Sequence, residues 1–114
     1  MEFVIEVRAK PEKLHELYQA LQALFPTIRL EKGCVDCRIF RDVEDGEIFF
    51  LSAHWKTQAS LERYMRSDNG GALLGAIDLL CEKSGVRIGQ DAPWVGIEIL
   101  KSMRRNQLME RRSQ

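Results

Sequence analysis

The chain predicts an α+β fold: four strands and two helices in the order βαββαβ, giving a ferredoxin-like antiparallel sheet with both helices on one face. Three observations lead there. Segments with a two-residue apolar rhythm alternate with segments whose apolar residues recur every three or four positions. An Asp-Gly pair between two strand-like runs signals a hairpin. No linker, internal repeat or low-complexity tract divides the pattern, so the 114 residues form one core, at a length that buries roughly two-thirds of the unfolded surface.

The elements follow in order. "EFVIEV" (Glu2 to Val7) is a strand by its β-branched and aromatic content. Pro11 opens "PEKLHELYQALQALFPTI" as a first-turn proline, and Leu14, Leu17, Tyr18, Leu21, Leu24 and Phe25 mark one apolar helical face. Pro26 is expected to end or kink that helix. "CVDCRIFR" (Cys34 to Arg41) is a second strand, joined through "RDVEDGE" to a third, Glu47 to Trp55. "KTQASLERYMRS" is a short amphipathic helix presenting Leu61, Tyr64 and Met65. After "DNGG" a more apolar helical piece, "ALLGAIDLLCEK", is expected to run on to Gly85, with Cys81 inside it. "PWVGIEIL" (Pro93 to Leu100) is expected as the last strand. The folded domain is thus 1–100, followed by a basic tail, 101–114.

Charge and composition narrow the function. The net charge is zero, yet the last fourteen residues carry Lys101, Arg104, Arg105, Arg111 and Arg112 against Glu110, a local +4 that leaves −4 on the rest. A basic end on an acidic body reads as a solvated tail or a strap onto a partner subunit, and no nucleic-acid partner is expected. No apolar run is long enough to span a bilayer. The opening "MEFVIEVRAK" alternates charge with apolarity where a signal peptide has an unbroken apolar stretch, so a cytoplasmic address is expected.

"CVDC" has the CxxC spacing of redox and zinc sites, but it sits in a strand pattern. Residues three apart on a regular strand point to opposite faces about 10 Å apart along the chain, which precludes a bridge or a shared metal. No second CxxC or histidine pair completes a metal set, and structural thiols are expected at Cys34, Cys37 and Cys81.

The third strand has two apolar faces. Phe49, Leu51, Ala53 and Trp55 point one way; Ile48, Phe50, Ser52 and His54 point the other, and that second set is too apolar for water. With a single helical layer available, the economical cover is the same face of a second copy, which predicts a homodimer packed sheet to sheet. His54, Trp55 and Tyr64 gather at the junction from this strand into the next helix, where a pocket is expected. His54 is turned toward the dimer face, and His15, on the polar side of its helix, reads as a surface residue.

"KGCVDCRIFRDVEDGEIFFLSAHWKTQASLERYMRSD" resembles the antibiotic biosynthesis monooxygenase type of dimeric α+β barrel. The likeness lies in a Gly-Cys opening the second strand, "FRD" before the turn, a third strand ending in Trp, and "LE" followed by "SD" on and after the helix. It implies oxidation of a small electron-rich aromatic, a quinol or phenol, by oxygen with no flavin, metal or haem. That chemistry needs a dry apolar pocket and a group that favours the phenolate. Trp55, Tyr18, Phe25, Leu51 and Met65 are the candidate substrate contacts, and Tyr64 and His54 the candidate catalytic groups. The same aromatics also read as plain core. Tyr64 stands where relatives often carry histidine, exchanging a base for a phenol. Haem-degrading relatives use an asparagine on the first strand, a tryptophan on the third and a histidine on the second long helix. "EFVIEVR" has no asparagine and "ALLGAIDLLCEK" no histidine, so haem is not expected. The other reading is a noncatalytic dimer that binds a small aromatic ligand or serves as a stress-related interaction module. The Gly70-Gly71 pair reads either as a lid hinge or as a simple helix break.

Overall fold

The structure, a computed structural model, describes residues 1–113, with side chains described for 1–105. Its elements are β1 (Glu2–Ala9), α1 (Leu14–Arg29), β2 (Cys34–Arg41), β3 (Ile48–Trp55), α2 (Gln58–Arg66), α3 (Asp68–Leu80), β4 (Cys81–Ile88) and α4 (Glu98–Ser113). The four strands pair antiparallel in the order β2-β3-β1-β4, the ferredoxin-like α+β arrangement. Among the described residues no helix is long and apolar enough to cross a membrane.

Strand alternation places the core. Phe3, Ile5, Val7 and Ala9 of β1 and Phe49, Leu51, Ala53 and Trp55 of β3 are all buried under the helices. The other face of β3 carries Ile48, Phe50, Ser52 and His54, the first three half-buried and His54 exposed. Helix α1 supplies Leu17, Leu21 and Ile28 to the core. It runs through Pro26 to Arg29, where an end or a kink was expected. Proline forfeits only one backbone bond, and burial of Ile28 one turn later holds the helical path.

The second helical region is two helices hinged at one residue. Ser67 ends α2 and caps α3: its hydroxyl donates to the Tyr64 carbonyl at 2.6 Å and accepts from the Gly70 amide at 3.1 Å. Gly70 and Gly71 lie in the first turn of α3, after the break at Ser67, and Gly70 is tightly packed. A Cβ there would overlap the Tyr64 carbonyl oxygen and the Met65 Cα, so the glycine is a close-packing requirement between α2 and α3.

Two expectations are corrected at the C-terminal end. The last strand is Cys81–Ile88, not Pro93–Leu100, and α3 stops at Leu80 rather than running on to Gly85. Pairing of Phe3 through Ala9 with this segment outweighs its polar residues, and Cys81 is a buried strand residue. Residues 93–97 make only a two-way bridge between Val86 and Val95, both bonds 2.8 Å, before turning into α4. The basic segment begins within α4. Leu100 and Met103 are buried, Lys101 pairs with Asp78 at 2.9 Å, and Arg104 donates to the carbonyls of Met65 and Ser67 at the end of α2.

A β-bulge corrects the geometry of "CVDC". Cys34 is opposite Trp55, Asp36 opposite His54 and Cys37 opposite Ala53, so Val35 is the extra residue and both cysteines lie on the helix side of the sheet. Cys37 is in the core and Cys34 packs against it, and both are free thiols.

Candidate functional site

The helix side of the sheet holds two groups of aromatic residues. At the Trp55 end, the indole stacks on the Tyr64 ring with centroids 5.5 Å apart and planes 29° from parallel. Trp55 and Tyr64 are 0% and 1% exposed, and Leu51 and Met65 beside them are buried as well. The Tyr64 hydroxyl donates to the Asn69 carbonyl at 3.5 Å, while the buried Trp55 Nε1–H has no partner among the described residues. Burial, followed by the nearby Cys37, Glu31 and Cys34, pushes the Tyr64 phenol well above its ordinary value. It is a protonated core phenol.

The second group lies at the Phe49 end, about 20 Å along β3 from Trp55 at strand rise. Here Phe49 is itself buried, and a cleft opens beside it between α1 and β2. Tyr18, 44% exposed, meets Phe49 with centroids 6.3 Å apart. Together with Phe25 and Ile39 they line a cleft of about 560 Å³ between α1 and β2. Arg29 spans its wall, with its guanidinium 4.6 Å from the Phe25 centroid and its Nε donating to the Cys37 carbonyl at 2.8 Å. Arg38 lines the cleft paired with Asp36 at 3.1 Å. A neighbouring cavity of about 470 Å³ shares Tyr18 and Phe49 and adds Glu12, Leu14, His15 and Arg41. Arg41 sits 5.5 Å from the Phe49 centroid and donates from Nε to the Gly46 carbonyl at 2.7 Å.

The sequence-predicted residues therefore divide. Trp55, Tyr64, Leu51 and Met65 come together in the sealed core. Tyr18 and Phe25 come together at the open cleft. His54 joins neither: it is exposed on the far face of the sheet, its Nε2 3.4 Å from the Met1 amino group. Phe49, Arg29, Arg38, Arg41 and His15 were not singled out for the site. One signal was available in the sequence. His15, Tyr18, Gln22, Phe25 and Arg29 recur at steps of three and four, a second stripe of α1 flanking the leucine face, and each lines one of the two cavities. Gln22 braces it, donating to the Tyr18 hydroxyl at 3.0 Å. Among the described residues no group of three or more His, Cys, Asp or Glu side chains is placed to hold a metal ion.

This fold has counterparts among known proteins. The pattern of the antibiotic biosynthesis monooxygenase family matches residues 2–72, more than half of the chain. The chain belongs to that family. Among solved structures, one described as an antibiotic biosynthesis monooxygenase superposes with a TM-score of 0.73 at 19% identity, covering 81% of this chain and 98% of its own. A conserved protein from Methanosarcina mazei Go1 superposes with a TM-score of 0.69 at 24% identity, covering 78% and 91%. A protein from Pseudomonas aeruginosa does so with a TM-score of 0.70 at 20% identity, covering 83% and 90%. At these identities the likeness speaks for the fold. No curated protein matches the chain.

Proposed function

We propose that the protein oxidises a small electron-rich aromatic, a quinol or phenol, with molecular oxygen in the cleft between α1 and β2. The observation that carries this reading is an open slot walled by Tyr18, Phe25 and Phe49 and edged by Arg29 and Arg38, in a chain of this family. Flat aromatic walls suit a planar substrate, and guanidinium groups at the rim favour its phenolate over the phenol. Once ionised, the substrate supplies the electrons. A quinol passes two electrons and two protons to oxygen, leaving quinone and hydrogen peroxide. A monooxygenation at an activated CH2 places one oxygen atom in the new carbonyl and releases the other as water with the two hydrogens. The protein contributes orientation, a partly dry surface and fixed positive charge. Leu51 of the buried set pairs across the sheet with Ile39 of the cleft lining.

In the same reading the functional unit is a homodimer. Val4, Ile48 and Phe50 are half-buried on the sheet face that carries no helix, and a second copy covers them together with their cross-strand neighbours Ser52, Arg8 and Glu6. Light scattering at micromolar concentration tests it, and a monomer there removes the dimer.

The sealing of Trp55 and Tyr64 favours a second reading, a noncatalytic dimer that binds an aromatic ligand in the same cleft. An oxygen-electrode survey of hydroquinones and naphthols separates the two. Uptake that falls on Phe25→Ala supports oxidation; a flat trace beside measurable binding supports the ligand-binding protein.

A further inference from the structure

The chain has two histidines, and the fold puts them on opposite sides of the sheet. His54 lies on the far face beside the Met1 amino group. His15 is exposed on α1, one turn before Tyr18, and lines the cavity that shares Tyr18 and Phe49 with the aromatic cleft. Imidazole is the ordinary side chain that exchanges a proton near neutral pH. Of the phenols at hand, Tyr64 is sealed in the core, and Tyr18 is a wall whose oxygen accepts from Gln22.

We propose that His15 is the proton acceptor for a phenolic hydroxyl bound at this end of the cleft. The proposal rests on the cleft reading above and deepens it. The substrate is an elongated aromatic, its rings between Tyr18 and Phe25 and a hydroxyl projecting past Phe49 toward His15 and Arg41. The O–H bond breaks, the proton passes to a ring nitrogen of His15, and the electron pair stays on oxygen. The charged groups around the histidine suit both products. Arg41, from β2, faces the developing phenolate, and Glu12, from the turn before α1, offsets the imidazolium. The remaining lining groups, Leu14, Tyr18 and Phe49, add no further charge. The helical spacing agrees with the assignment, because His15 begins the stripe that continues through Tyr18, Gln22, Phe25 and Arg29 along the cavities.

The test uses 4-nitrophenol, an electron-poor phenol that resists oxidation and shows its ionisation by colour. It is titrated with excess protein below its own ionisation pH. Wild-type protein is expected to raise the bound phenolate band. His15→Gln is expected to bind within a factor of about ten, the scale of one neutral hydrogen bond, and leave the probe protonated. Equal phenolate bands in the two proteins would overturn the assignment. So would a band restored by His15→Lys, which returns positive charge without an imidazole. Circular dichroism checks that both variants fold, as an exposed helical position permits. If 4-nitrophenol fails to bind wild-type protein, the cleft reading falls and takes this proposal with it. If it binds and ionises through His15 while no phenol drives oxygen uptake, oxidation alone falls.

Discussion

Two aromatic groups share one side of one sheet, and they differ in almost everything except composition. Trp55 and Tyr64 stack beneath α2, sealed from water, with a phenol held protonated. Tyr18 and Phe25 of α1 line an open cleft in which Tyr18 is 44% exposed, with the buried Phe49 of β3 beside them and arginines at the rim. The difference is made by neighbouring elements. At the Trp55 end, α2 closes over β3, and α4 holds α2 in place through Arg104 and the carbonyl that accepts from Arg66. At the Phe49 end Arg29 ties α1 to the Cys37 carbonyl of β2, and the cleft lies open beside that contact. Aromatic content therefore marks both core and candidate site, and cover alone separates them.

The comparison breaks most visibly at Trp55. Trp55→Ala removes the largest buried side chain and leaves a cavity against Tyr64, costing about 3–5 kcal/mol, a large share of the roughly 5–15 kcal/mol that holds a domain of this size. Urea denaturation is expected to show loss of much of the folded population. An effect under about 1 kcal/mol would mean that the indole is not core.

Gly33 tests how the seal is made. Its φ is +92°, which side chains resist, and a Cβ there would overlap the Ser60 hydroxyl of α2. Its carbonyl accepts from the Lys56 amide at 2.8 Å, tying the entry of β2 to the exit of β3. Gly33→Ala is expected to cost about 1–3 kcal/mol in the same denaturation assay. Adding Ser60→Gly should recover the part due to the collision and leave the part due to φ.

How much of this was legible can be judged element by element. Strand β2 was readable to the residue, and β3 to within one, because alternation and the Asp-Gly turn are local signals. Asp42 makes that turn, its carboxylate accepting the Glu44 and Asp45 amides at 2.8 Å each. Strand β4 was not readable. "CEKSGVRI" has the polarity of a helix end, and only pairing with β1, distant in sequence, makes it a strand. The bulge at Val35 leaves no mark in composition either, yet it turns both cysteines to one side. At the site, the sequence could name Tyr18, Phe25, Trp55 and Tyr64 as aromatic. It could not show that six residues of β3 separate the open pair from the sealed one.

Cys37 joins the two regions, since its carbonyl holds Arg29 of the cleft while its thiol lies buried near Tyr64. Burial, then the charge of Cys34, pushes that thiol up to about 12 from an ordinary 9.0. Burial likewise pushes Cys81 up to about 11. Between pH 9.0 and these values the folded chain holds protons that the unfolded chain has lost. Stability is therefore full below that window and falls as pH rises through it, by at most about 1.4 kcal/mol per pH unit for each thiol. Cys34 and Tyr64 are also raised by burial and add to the slope, so Cys37→Ala should lessen it without abolishing it, measured by denaturation at alkaline pH. An unchanged slope would show that Cys37 ionises freely in the fold.

The smallest effect is expected from Tyr64→Phe, and it is the sharpest test of which aromatic group does chemistry. The change removes one hydroxyl whose bond to the Asn69 carbonyl is already long, so stability at neutral pH should fall by no more than about 1 kcal/mol. If the open cleft is the site, phenol affinity and oxygen uptake stay at wild-type levels, because Tyr64 is buried and lines neither of the two cavities. Phe25→Ala in the same assays should lower affinity about tenfold, through lost ring contact and the lost seat for Arg29. The reverse pattern, uptake slowed by Tyr64→Phe and untouched by Phe25→Ala, would mean that the sealed pair opens to substrate, and the contrast between the two regions would then describe only the resting state.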